Sequence, residues 1–141
     1  MDPKVWTFFY GSFINVDVLR EVDFVPEAVL LARLSGYDIR IEPLANLVPD
    51  EAGTVYGILV PATHAELQRL YGQGWVGTYL PHAVLATRPD GAFVPALCYV
   101  APSPPRAPAR ADYVDRIVRP ARAYGFPAWY IARLESFRPG T

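Results

Sequence analysis

Thr7-Phe8-Phe9-Tyr10-Gly11-Ser12 runs an apolar stretch straight into a glycine-bearing turn within a dozen residues of the N-terminus. Residues 4–10 are β-branched and aromatic, which predicts the first strand. The missing Cβ of Gly11 lets the backbone approach a neighbour closely or take positive φ. Ser12 adds a hydroxyl, and the amides that follow can form a small nest for a carboxylate or oxyanion. The loop Tyr10, Gly11, Ser12 and Phe13 is therefore a candidate ligand site, although a strand-to-turn junction of this kind also serves as a purely structural turn.

Working outward, residues 30–41 alternate with period 2: Tyr37, Ile39 and Ile41 face one way and Asp38, Arg40 and Glu42 the other. That is a strand with one side on the core. Asp50-Glu51-Ala52-Gly53 reads as a turn, so residues 44–60 are predicted to be a hairpin that Pro61 ends. Thr63-His64-Ala65-Glu66 is a capping box that opens a short helix through Leu67, Leu70 and Tyr71, stopped by Gly72. Residues 79–87 and 92–100 flank Arg88-Pro89-Asp90-Gly91 and form a second predicted hairpin. Residues 101–109 hold four prolines and read as an extended connector. Tyr113, Ile117 and Ala121 then make a helical stripe over 112–124, with a break expected near Arg119 because Pro120 has no N–H.

At 141 residues the chain has the length of one domain, 1–141, and its 52% hydrophobic and 19% charged content excludes a disordered class. No apolar run approaches the ~20 residues needed to cross a bilayer. Met1-Asp2-Pro3-Lys4 has no basic start followed by an apolar run, so the expected location is cytoplasmic and no membrane partner is expected. The arginines of residues 106–138 alternate with Asp112, Asp115 and Glu135, a pattern of solvated helix faces and not a nucleic-acid track. His64 and His82 lie far apart without a cysteine partner, and Cys98 sits in an apolar strand as an inert thiol, so no metal site is expected. Phosphate-binding glycine loops, nucleophile elbows and H-E-x-x-H are all absent from the sequence, and no cofactor is implied.

Three blocks recur in an order that resembles the γ-glutamylcyclotransferase-like (AIG2-like) family. Tyr10, Gly11 and Ser12 match its Tyr-Gly-Ser-Asn loop, with Phe13 in the Asn place. Ala45-Asn46-Leu47-Val48-Pro49-Asp50 and Gly53-Thr54-Val55-Tyr56-Gly57-Ile58-Leu59 resemble its central strands. Tyr113, Ile117, Ala121, Gly125, Pro127, Tyr130 and Leu134 fall at the intervals of its closing segment. The resemblance covers roughly residues 5–137 and implies an α+β fold: a single domain with a mixed, bent or barrel-like sheet of five to seven strands and helices near 63–71 and 111–124 packed outside.

It also implies an activity. In that family a γ-glutamyl group cyclises to 5-oxoproline with release of an amine. Loop amides hold the substrate and a glutamate moves the protons. The substrate-binding positions implied here are Tyr10, Gly11, Ser12, Phe13, Tyr79, Tyr113 and Tyr130, and the ligand is a small molecule carrying a carboxylate. The glutamate's place, in Leu70-Tyr71-Gly72-Gln73-Gly74, is taken by Gly74. Asp17, Glu21, Glu42 and Asp112 are the alternative carboxylates. Three readings stay open from sequence: a divergent cyclotransferase acting as an acyltransferase on γ-glutamyl compounds, a non-catalytic small-molecule binding module, and a protein-interaction domain.

Overall fold

The computed structural model describes residues 3–73, 78–102 and 107–139. Its alternating and aromatic stretches become β1 (Lys4–Phe9), β2 (Leu30–Ile41), β3 (Ala45–Thr63), β4 (Leu80–Thr87) and β5 (Phe93–Val100), closed into a barrel in the order β1-β3-β2-β4-β5. Four of the pairings are antiparallel, and a parallel contact of Thr7 on β1 with Leu97 on β5 completes the circuit. Closure leaves β1 covered on both faces: Thr7, Phe8 and Phe9 are all buried. Where β3 crosses β1, a Cβ on Gly57 would lie 2.1 Å from the Phe9 carbonyl oxygen, so only glycine permits that approach. This α+β barrel is the architecture the sequence predicts.

The expected hairpin over 44–60 does not form. Residues 45–63 are one long strand, and the chain reverses instead at 42–44, between β2 and β3. Asp50-Glu51-Ala52-Gly53 is a register break: Tyr37 stands opposite Pro49 and Ser35 opposite Thr54, so an excursion of β3 faces Gly36 alone. The Asp50 side chain still accepts from the Ala52 N–H at 3.0 Å, so the turn chemistry is present without a reversal. Pro61 does not end the strand either, which continues opposite β1 to Thr63.

Helices α1 (Val16–Arg20), α2 (His64–Tyr71), α3 (Ala111–Ala123) and α4 (Ala128–Glu135) lie outside the sheet, preceded by a 3-10 turn at Ser12–Ile14. The capping box of α2 forms in full: Thr63 Oγ1 accepts from the Glu66 N–H, and the Glu66 carboxylate accepts from the Thr63 N–H. α3 continues through Pro120 to Ala123 with no break near Arg119. The carbonyl that Pro120 cannot serve belongs to Arg116, and the Asn15 amide donates to it at 3.0 Å. Asn15 also caps α1 through the Asp17 N–H at 3.0 Å, so one side chain replaces a missing helix bond and starts another helix. α4 was not anticipated as an element. It is tied to β2 by a fork from Arg133 to Asp38, at 3.3 and 2.7 Å.

Candidate functional site

β1 delivers Tyr10 to the end of the barrel, and Gly11 brings the backbone against the first residue of β3. Its φ of −100° is ordinary, so glycine is needed for space: a Cβ there would meet the Ala45 Cβ at 2.8 Å. Ala45 is the hub of the site. Its N–H donates to the Tyr113 hydroxyl at 3.0 Å, and its carbonyl accepts from the Tyr79 hydroxyl. The Ser12 hydroxyl and N–H face the same Tyr113 oxygen and favour its phenolate form. The amides expected to form a ligand nest are therefore turned toward an oxygen that α3 supplies. Tyr10 donates to the Tyr99 carbonyl at 2.6 Å, which pins the loop to β5.

Aromatic rings close the floor. Phe13 meets Phe9 and Tyr71 edge-on at 5.6 and 5.3 Å, and Tyr71 stacks on Tyr99 with ring centres 4.0 Å apart. These groups enclose a small cavity of about 30 Å³ lined by Tyr10 to Phe13, Leu44, Ala45, Tyr71, Tyr79 and Tyr113 among others. Ser12, Leu44 and Tyr113 also line a larger groove of about 340 Å³ that adds Arg110, Asp112 and Arg116.

Every tyrosine hydroxyl of the cavity is pushed toward its neutral form. Burial, and then Cys98 and the neighbouring tyrosines, hold Tyr10 and Tyr71 well above the ordinary phenol range. Burial and then Tyr113 raise Tyr79. Burial raises Tyr113 too, partly offset by the Ala45 N–H and the Ser12 groups that favour a phenolate. Burial pushes the Cys98 thiol up to about 12. No carboxylate or imidazole lines the cavity among the described residues.

Of the residues named from sequence, Tyr10, Gly11, Ser12, Phe13, Tyr79 and Tyr113 come together around this cavity. Tyr130 does not join them. It is buried beneath α4 against Tyr56, Phe126 and Trp129, with its hydroxyl directed at the Tyr56 carbonyl, 3.5 Å away. Gly74 lies outside the described residues, and the undescribed stretch Gly74-Trp75-Val76-Gly77 has no ionisable side chain. The alternative carboxylates all have basic partners: Asp17 with Arg20, Glu21 with Arg116, Glu42 with Arg40 and Asp112 with Arg110. Of these, only Asp112 reaches the outer groove.

Sequence reasoning missed Tyr71, which it placed on a helix without a role in the site, and it missed Leu44 and Ala45. Tyr71 ends α2 immediately before its glycine stop, and an aromatic at that helix end was its one available signal.

No family model matches the chain, and no curated protein matches its sequence. Solved structures do. The uncharacterised protein LOC79017 from Homo sapiens superposes with a TM-score of 0.83 at 18% identity, covering 99% of this chain and 90% of its own. A γ-glutamyl cyclotransferase gives 0.81 at 19% identity over 97% and 89% of the two chains. The γ-glutamyl cyclotransferase specific to glutathione from yeast gives 0.70 at 11% over 96% of each. At these identities the likeness is one of fold, and the fold is that of the γ-glutamyl cyclotransferases.

Proposed function

We propose that this domain binds a small acyl compound at the Tyr10–Phe13 loop without turning it over, in a cytosolic setting. One observation carries the reading: among the described residues the cavity offers hydroxyls and amides but no group able to accept a proton near neutral pH, because burial holds its phenols and the neighbouring Cys98 thiol in their neutral forms. Cyclisation needs a base to take a proton from the attacking ammonium and return one to the leaving nitrogen, a role worth about 10²–10⁴-fold. A phenol held neutral cannot take the first of these protons.

They suit binding instead. The Tyr71 hydroxyl makes no hydrogen bond to another described residue, and Tyr113, which accepts from Ala45, keeps its own proton for a ligand oxygen. A carboxylate in so apolar a cavity would be desolvated without a cation, so the neutral carbonyl end of the ligand belongs inside. Its carboxylate belongs in the outer groove beside Arg110 and Arg116. 5-Oxoproline and γ-glutamyl amino acids both carry that pair of groups.

Titration with 5-oxoproline and with a γ-glutamyl amino acid should give saturable binding that Tyr113→Phe weakens by roughly ten-fold, the worth of about one hydrogen bond. Release of 5-oxoproline should be undetectable. Turnover like that of an ordinary cyclotransferase, or no binding at all, would overturn the proposal. The fold likeness favours one second reading, a cyclotransferase that has lost its base. On that reading, Gly74→Glu combined with Phe13→Asn should restore measurable release, and more than either change alone.

A further inference from the structure

We infer a second ligand site, for a small aromatic or aliphatic carboxylate, in the cleft beneath the α3–α4 connection with Arg33 as its anchor. The barrel seam creates the cleft. β2 meets β4 at one residue pair, Arg33 opposite Thr87, and on its other side Arg33 stands opposite Tyr56 of β3. Residues opposite one another share a face, so Tyr56, Arg33 and Thr87 form a row across three strands. The segment from Tyr124 to Pro127 passes over that row, with the Phe126 ring 5.7 Å from Tyr56 and 5.7 Å from Tyr124. Together they enclose about 300 Å³, ten times the volume of the loop cavity and within the size range of small-molecule pockets.

Its walls are largely apolar, supplied by Leu31, Ala32, Pro89, Phe126 and Pro127, and no carboxylate lines it among the described residues. Arg33, only partly exposed, has no hydrogen bond or ion pair from its guanidinium to another described residue. Acids elsewhere on this side are taken: Asp38 accepts the fork from Arg133 and also faces Arg40 at 3.7 Å, and Glu135 pairs with Arg122 at 2.8 Å. A half-buried guanidinium without a counter-ion is poorly solvated, and a carboxylate matches its paired N–H groups in geometry and charge. The rings and prolines around it would cover an apolar tail. A phosphate would need more donors than one guanidinium and one threonine hydroxyl supply, whereas a monocyclic aryl acid fits both charge and volume.

The site shares no lining residue with the loop cavity, so its test stands apart from the function proposed above. Phenylacetate and its uncharged isostere phenylacetamide are titrated into the intact protein while the backbone amides are followed by NMR. Phenylacetate should shift Thr87, Gly125 and Phe126 and bind roughly ten-fold more tightly than phenylacetamide, the value of one charge-assisted pair. Arg33→Met, which keeps the apolar stem, should erase that preference, and Arg33→Lys should keep part of it. Equal affinity for the acid and the amide in the unmodified protein overturns the inference without any variant. So does a preference that survives Arg33→Met, or a response confined to Tyr10–Phe13.

Discussion

The loop cavity and the seam cleft lie on one barrel but satisfy their polar groups in opposite ways. At the loop most donors and acceptors are answered from within: Ala45 serves Tyr113, Tyr79 serves Ala45, and Tyr10 serves Tyr99. At the seam the one charged group that lines the space is answered by no described residue. A cavity whose polar atoms bond each other is rigid and small, and it admits a ligand only by offering the few groups left over. A cavity that leaves a charge open is larger and chemically more demanding of what enters it.

The strongest way to break that contrast is to crowd the closed region. Gly11→Val places methyl groups against Ala45, which starts a paired strand, and should destabilise the protein by about 1–3 kcal/mol while abolishing binding at the loop. A denaturant midpoint near that of the unmodified protein would show that the two backbones are not held together. Next in size, Tyr113→Phe leaves the Ala45 N–H without an acceptor and should cost about 1–3 kcal/mol. Arg33→Met removes no bond and should stay within about 0.5 kcal/mol. Comparable losses in urea denaturation would erase the distinction between the two regions.

A smaller effect appears at alkaline pH. In the unfolded chain the tyrosines titrate near 10, whereas in the folded protein Tyr10, Tyr71, Tyr79, Tyr113 and Tyr130 titrate higher, chiefly because they are buried. Above pH ~10 the unfolded state therefore binds fewer protons than the folded one. Stability that is complete below that pH falls as pH rises through the folded values. Tyr71→Phe should make this fall shallower in a pH series of melting curves, and Arg33→Met should leave its slope unchanged.

Much of the barrel was legible because its signals are local. Alternation over 30–41, the Thr63 and Glu66 capping box and the Asp90-Gly91 turn act within a few residues and survive into the structure. Asp50 misled for the same reason: its side chain makes the same turn-like bond whether or not the chain reverses. Pro120 misled because its missing bond is repaired by Asn15, which no helix rule inspects. The loop's residues could be named from sequence, but not that Tyr113 takes the Ala45 N–H, nor that Tyr130 lies under a different helix. Those facts depend on how α3 and α4 dock. The Arg33 cleft was invisible because it exists only where β2 and β4 meet.

The docking of α3 on the N-terminal turn has a consequence for the order in which the molecule is made. Asn15 reaches Arg116 and Tyr124 reaches the Ile14 carbonyl, contacts separated by 101 and 110 residues of chain, and the Ala45 N–H awaits Tyr113. The loop is thus synthesised well before the helix that gives it its shape. Until α3 arrives, the Asn15 amide and the Ile14 carbonyl lack these partners. Contacts this distant in sequence slow folding and lengthen the time an apolar start is open to other chains. A chain shortened before α3 lacks the Tyr113 oxygen that the Ala45 N–H bonds, and the loop cavity then loses one of its walls.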